Sequence, residues 1–194
     1  ISENLFFSNS GEAIILKNNT SKGIVLRGYL TKEFSDLAII KNDKLKGNRS
    51  KLNKNSISIG NELSFSLDLK IGDKITLMSP SGVETIIGSM PKQKTFEITS
   101  IFNSGLADFD NNIAIINLDT LDEFFDFEQK DRNLEIYLKD PKNIESQKQI
   151  VQKIFDQEFI FTWADMNSSL FSALKVERNV MFIILSLIII VAAF

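Results

Sequence analysis

From Val180 to Phe194 the chain reads Val-Met-Phe-Ile-Ile-Leu-Ser-Leu-Ile-Ile-Ile-Val-Ala-Ala-Phe, with Ser186 its one polar residue. A helix of a soluble protein keeps a polar stripe, so a segment apolar on every face belongs in a large core or in lipid. Spanning a bilayer takes about 20 such residues, more than this run supplies, and it reads as the opening of a transmembrane helix. Just upstream, Thr162-Trp163-Ala164-Asp165 has the form of a capping box, in which hydroxyl and carboxylate satisfy the free amides of a helix start. Met166, Leu170, Ala173 and Leu174 follow at helical spacing. The pattern predicts one continuous helix leaving a folded domain for the bilayer, with Lys175, Glu177 and Arg178 near the surface, where long charged side chains snorkel. The preceding residues, which open at Ile1 without a signal peptide, are expected to form an extracytoplasmic domain between two membrane spans.

Composition narrows the chemistry. The 194 residues hold 22 Lys and Arg against 25 Asp and Glu, so no bulk positive field favours nucleic acid. With no Cys and no His, thiolate metal sites, thiol nucleophiles and the usual general base are absent. There is no G-x-x-x-x-G-K-[ST] loop and no G-x-S-x-G elbow, so any ATP is hydrolysed elsewhere. Asp108-x-Asp110-x-Asn112 imitates the start of a calcium loop, but Ile113 replaces the sharp-turn glycine and Asp119 stands at the twelfth position, which favours a polar turn between strands. No pair of carboxylates is singled out for glycoside chemistry. The chain is expected not to be an enzyme and to hold no metal or cofactor.

The order of elements predicts an α+β fold. Ala13–Lys17 and Gly23–Leu30 read as paired strands around a polar turn. Between Lys41 and Lys54, six basic residues oppose Asp43 alone, as in a solvated linker. Ser56 to Ile59 is a short strand, Gly60 to about Leu69 a helix, and Lys74 to Ser79 a strand ending in the turn signal Ser79-Pro80-Ser81-Gly82. Further strands are expected at Thr95–Phe102, Ile113–Asn117, Asn133–Lys139 and Glu158–Thr162. A helix capped by Asp119 should bury Leu121, Phe124 and Phe125 and leave its acids in solvent. Another, from Asn143 to Gln157, should turn Ile150, Ile154 and Phe155 inward. Val83 to Pro91 places aliphatic residues between a Pro/Gly turn and a proline, as in a projecting hairpin or a core strand; exposed Ile86, Ile87 and Met90 would form a docking patch.

Thr162-Trp163, Asn167-x-x-Leu170-Phe171-Ser172-Ala173-Leu174-Lys175-x-Glu177 and Met181-Phe182 closely resemble the entry to the second membrane helix of lipoprotein-releasing permeases, the LolC/LolE family. Ile59-Gly60-x-Glu62-Leu63, Leu69-x-x-Gly72-Asp73-Lys74-x-Thr76-Leu77, Gly88-x-Met90-Pro91, Phe96 and Ile101-Phe102-x-x-Gly105 fall in the same order as in that family. The resemblance implies a two-part periplasmic domain of the MacB-like ABC permease type, in the bacterial inner membrane. Its membrane-proximal parts would be 1–44 and 131–164, its inserted part 45–130, with a stalk helix at 165–179 and a membrane helix from 180 to 194. Implied partners are a cytoplasmic ATPase subunit that binds ATP and Mg, a second permease chain, the lipoprotein substrate, membrane lipid and the soluble periplasmic carrier LolA.

In carrier-binding members a hairpin hook and a polar pad receive the carrier. By resemblance these map to Pro80, Thr85, Ile86, Ile87, Gly88, Met90, Pro91, Gln93 and Lys94, and coupling to the membrane maps to Leu170, Phe171, Leu174, Lys175, Glu177 and Met181. The hook is one residue shorter than usual, Thr76 stands where a basic pad residue is expected, and Lys94 replaces an Arg, whose planar fork it does not reproduce. Two alternatives stay open: a related permease that serves an exporter or regulates a cell-wall hydrolase, and a ligand-binding domain of a membrane sensor.

Overall fold

Strands whose side chains alternate between core and solvent close most readily on one another. In the computed structural model, which describes residues 2–17, 20–41, 45–48, 50, 52–85, 88–138, 140 and 143–193, six strands do so. Strand β1 (Ser2–Lys17) pairs antiparallel with β2 (Thr20–Tyr29), from Ser8 opposite Tyr29 to Lys17 opposite Thr20. After β2 come the short helices α1 (Thr31–Phe34) and α2 (Ala38–Lys41), then β3 (Lys46–Gly47), β4 (Ser56–Gly60) and α3 (Asn61–Ser66). The hairpin β5 (Lys74–Thr85) and β6 (Gly88–Phe102), helix α4 (Ala107–Asn112), β7 (Ile113–Asn117), α5 (Leu118–Phe125), a 3-10 turn (Gln129–Asp131) and β8 (Asn133–Leu138) follow. Pairing runs β2-β7-β4-β6-β5-β1, and the β1–β2 pair closes the ring; β8 adds to β1 and β3 to β6. The β2–β7 and β4–β6 pairs are parallel and the rest of the ring is antiparallel.

The interior of the ring follows from the period of two. Ala13, Ile15, Ile24, Leu26, Ile57, Ile59, Ile75, Leu77, Phe96, Ile98, Ala114 and Ile116 are buried in one cluster, joined by Leu121, Phe124 and Phe125 of α5. Gly11 lets α5 lie close, since a Cβ there would stand 2.6 Å from the Phe125 ring. A register shift between Ile57 and Ser58 sets Ser58 opposite Ser100, so Ile98 and Ile101 both join the inner cluster while Phe102 joins a second one. That second cluster gathers Phe6, Tyr29, Phe34, Leu37, Ile40, Leu52 and Ile115.

The α+β class and the first strand pair come out as expected, and several local expectations are corrected. Ser79 to Gly82 is not a turn: β5 continues through it, taking four steps from Met78 to Gly82 while β6 takes two from Gln93 to Pro91. The 41–54 stretch is not wholly a solvated linker, because Lys46 and Gly47 pair with Ile101 and Ser100 and Leu52 is fully buried. Residues 42–44, 49 and 51 lie outside the described residues. The cap of α5 is Asn117, whose side chain accepts from the Thr120 amide, not Asp119. Nor are all acids of α5 solvated: Asp122 is buried, accepting from Arg132 Nε at 2.7 Å and from Asn9 Nδ2 at 3.3 Å. A buried carboxylate persists only with such partners.

The chain divides into two units, Ser2–Tyr137 and Leu138–Phe194. Strands from the expected 1–44 and 45–130 parts share the one ring. In the second unit, α6 (Ile144–Ile154) forms, but Ile150, Ile154 and Phe155 are exposed instead of inward. Glu158 to Thr162 forms no strand, and Phe159 and Phe161 stand exposed. The capping box then opens α7 (Trp163–Met166), and the expected continuous helix is interrupted at Asn167 before α8 (Ser168–Ala192).

Candidate functional site

The β5–β6 hairpin carries most of the residues singled out for docking. Its described ladder ends with Thr85 opposite Gly88, and Ile86 and Ile87 lie outside the described residues. Both prolines occupy places where a missing N–H is tolerated: Pro80 is exposed within the β5 bulge, and Pro91 is exposed opposite Gly82 on β6. Met90 is 59% exposed, a large apolar side chain held toward solvent beside them.

Gln93 and Lys94 are consecutive on β6, so their side chains leave opposite faces of the ribbon and do not form one flat pad. Gln93 lies opposite Met78, its amide nitrogen 3.9 Å from the Met78 sulfur. Next along that face, the hydroxyls of Thr76 and Thr95 lie 3.1 Å apart. Thr76 therefore does share a face with Gln93, although it brings no positive charge. Lys94 sits on the other face with its ammonium 5.7 Å from the Phe96 ring centroid. An open groove of about 340 Å³ is lined by Lys92, Gln93, Lys94, Glu123 and Phe124. Sequence reasoning missed Met78, which only the cross-strand register sets beside Gln93, and Lys92, which only the seating of α5 brings to Glu123.

Asp108, Asp110 and Asn112 lie on α4, where the Asp110 carboxylate accepts the Ser104 amide at 3.0 and 3.1 Å. Among the described residues, no group of three or more acidic side chains is placed to hold a metal ion.

At the other candidate region, Asp165 Oδ2 accepts from Lys148 Nζ at 2.7 Å and from the Thr162 amide and hydroxyl, both at 2.9 Å. These donors, Lys148 foremost, hold the carboxyl down to about 2. A group whose folded pKa lies below its unfolded value, ~3.9 for Asp, stabilises fully above the unfolded value and loses that contribution as pH falls through the folded one. The capping box is therefore expected to weaken between about pH 4 and pH 2. Lys148→Met should move the Asp165 midpoint up toward the ordinary range in a carboxyl NMR titration; an unmoved midpoint would exclude Lys148 as the principal donor.

Asn167 breaks the helix with φ −112° and ψ 27°, while its side-chain amide donates to the Trp163 carbonyl at 2.7 Å. Trp163 and Phe171 meet edge-on across the break at 5.2 Å. Leu170, Phe171, Leu174, Lys175, Glu177 and Met181 are all exposed on α8. In the apolar half, Ser186 donates to the Phe182 carbonyl at 2.8 Å, which removes its one polar group from the surroundings. No helix among the described residues is long and apolar enough to cross a membrane. From Val180 to Ala192 the apolar part extends about 20 Å, against roughly 30 Å of hydrocarbon.

No family model matches the chain. The lipoprotein-releasing system transmembrane protein LolC of Neisseria meningitidis is 28% identical over 189 residues, 95% of this chain and 46% of that protein. This chain is similar to LolC along nearly its whole length. The LolC of Haemophilus influenzae is 29% identical over 136 residues, 69% of this chain and 33% of that protein. Both LolC proteins are named as transmembrane, and the chain spans less than half the length of either. The resemblance read from Thr162 to Phe194 and from the glycine motifs is thus borne out. The periplasmic region of MacB from Actinobacillus actinomycetemcomitans superposes with a TM-score of 0.53 at 10% identity, covering 87% of this chain and 76% of that one. That likeness establishes the MacB-like fold.

Proposed function

We propose that this chain is the periplasmic part of a permease subunit that releases lipoproteins from the inner membrane and passes them to the carrier LolA. The similarity to LolC over 95% of the chain carries the reading. Energetics supports the need for a carrier. Three acyl chains of about fifteen methylenes, at about 0.8 kcal/mol each, cost on the order of 36 kcal/mol to expose to water.

In this reading the β5–β6 hairpin is the docking element. Pro80, Thr85, Ile86, Ile87, Gly88, Met90 and Pro91 are assigned to the hook, and Gln93 and Lys94 to the pad. Helices α7 and α8 transmit motion from the membrane, with Leu170, Phe171, Leu174 and Met181 packing on neighbouring helices or lipid and Lys175 and Glu177 at the water interface. A second permease chain completes the transmembrane body, and a cytoplasmic ATPase subunit binds ATP and Mg and drives the cycle; this chain contributes no catalysis and no cofactor. The 1–44, 45–130 and 131–164 division is proposed as a division of labour between membrane-proximal and docking parts. A MacB-like permease with another substrate shares the fold, but 10% identity to MacB against 28% to LolC favours lipoprotein release.

The test is site-specific photo-crosslinking in the active complex. Probes at Met90 and Gln93 are expected to capture the soluble carrier, and one at Glu12, exposed on β1, is not. Failure of both hairpin probes to capture it in cells that still release lipoproteins would remove the docking claim.

A further inference from the structure

The hairpin leaves the ring on thin support. Among the described residues, β5 is paired with β1 only at Thr76, Leu77 and Met78, and β6 is paired with β4 only from Glu97 onward. From Gly82 to Thr85 and from Gly88 to Thr95 the described ribbon is held by its own two strands. Two strands alone twist and flex about their attachment more readily than a sheet supported on both edges. A side-chain tether to the body would set the angle of such a ribbon.

Lys92 supplies one. It lies on β6 within the unsupported stretch, yet its ammonium reaches the C-terminal end of α5, pairing with the Asp126 carboxylate and lying 3.4 Å from the Glu123 carbonyl. Asp126 is the C-cap of that helix, in the left-handed region at φ 59°. Carbonyls at a helix C-terminus lack intrahelical partners and carry the negative end of the dipole, so a cation is favoured there. The helix is itself a firm base, because Leu121, Phe124 and Phe125 are part of the ring's core.

We propose that Lys92 is a positioning residue: by tying β6 to the C-terminus of α5, it holds the hairpin at the angle from which Met90 and Gln93 meet the carrier. It rests on the docking reading above but assigns a role to a residue outside the hook and the pad. The Lys92 chain is already engaged with Asp126 and Glu123, so it acts through the ribbon and not by touching the carrier. A partly exposed ion pair of this kind shifts an orientational equilibrium modestly, by a factor of about two to five.

The experiment measures binding of purified LolA to the full permease complex in detergent, with thermal unfolding followed in parallel. Lys92→Met and Asp126→Asn are each expected to weaken binding about two- to five-fold, with unfolding unchanged within a degree or two. Lys92→Arg, which keeps a cation at the helix C-terminus, should retain binding, and lowering the salt should strengthen binding by the parent more than by Lys92→Met. Weakening by Asp126→Asn, which leaves Lys92 in place, is the readout that a direct contact between Lys92 and the carrier would not give. Binding unchanged in Lys92→Met while Met90→Asp abolishes it would overturn the positioning role and leave docking intact. Binding unchanged in Met90→Asp as well would overturn the docking reading itself.

Discussion

Phe96→Ala is expected to destabilise the Ser2–Tyr137 unit by about 3–5 kcal/mol. The ring is 1% exposed, faces the interior from β6 opposite Ile75, and is among the largest side chains in the closed barrel. Because the strands close on one another, neighbours cannot slide inward to fill the space, and the loss of transfer free energy adds to that of the cavity. The same ring lies under the Lys94 ammonium. Truncation therefore also removes a cation–π contact of about 0.5–1 kcal/mol and frees Lys94 at the base of the hairpin. Urea unfolding followed by far-UV circular dichroism checks the stability change. A loss below about 1 kcal/mol, where surface substitutions fall, would mean that the interior is not the close-packed barrel described.

How much of this was legible depends on the kind of signal. Short aliphatic runs such as Ala13–Lys17 and Ile113–Asn117 were readable as strands because β-branched and aliphatic residues bounded by polar segments favour a buried strand. Ring closure was not: it rests on β2 meeting β7 and β4 meeting β6 in parallel, pairings between distant segments that leave no local mark. The capping box at Thr162 was visible because both of its hydrogen bonds are local. The break at Asn167, two residues beyond Asp165, was hidden beneath an apolar spacing that continues through it. The exposure of Ile150, Ile154 and Phe155 shows the reverse failure, since an amphipathic pattern states that a face seeks cover but not which partner provides it.

The hairpin divides along the same line. Proline and glycine at 80, 82, 88 and 91 announced an irregular ribbon, and Met90 on it is exposed. Ser79 to Gly82 was misread as a turn, because Ser-Pro-Ser-Gly serves equally as a turn and as a bulge. That choice decides which residues face each other: because β5 continues through the bulge, Pro91 lies opposite Gly82. Lys92 and Asp126, 34 residues apart, become neighbours only once α5 is seated in the core.

The glycines that helped reveal the resemblance make the last expectation the sharpest. Gly60 has an ordinary backbone conformation, φ −72°, at the junction of β4 and α3, so strain in φ does not explain it. A Cβ there would stand 2.0 Å from the Asp110 carbonyl oxygen and 2.6 Å from the Asp110 carbonyl carbon. Those atoms belong to backbone, which cannot swing aside as a side-chain tip can. Helix α4 would have to lift away, taking the buried Asp110 carboxylate from the Ser104 amide. Gly60→Ala is expected to cost about 3 kcal/mol or more. Gly72 differs in kind: φ is +94° with no atom near the added carbon, so Gly72→Ala should cost about 1–2 kcal/mol through backbone strain alone. Gly23, on β2 with open space beside it, should accept Ala within about 0.5 kcal/mol. Urea titrations of the three variants rank them, and equal stabilities for the Gly60 and Gly23 variants would mean that α4 is not held against β4. The predicted order assigns the Ile59-Gly60 motif to the close packing of α4 on the barrel and the Gly72-Asp73 motif to the turn that launches β5, the first strand of the hairpin.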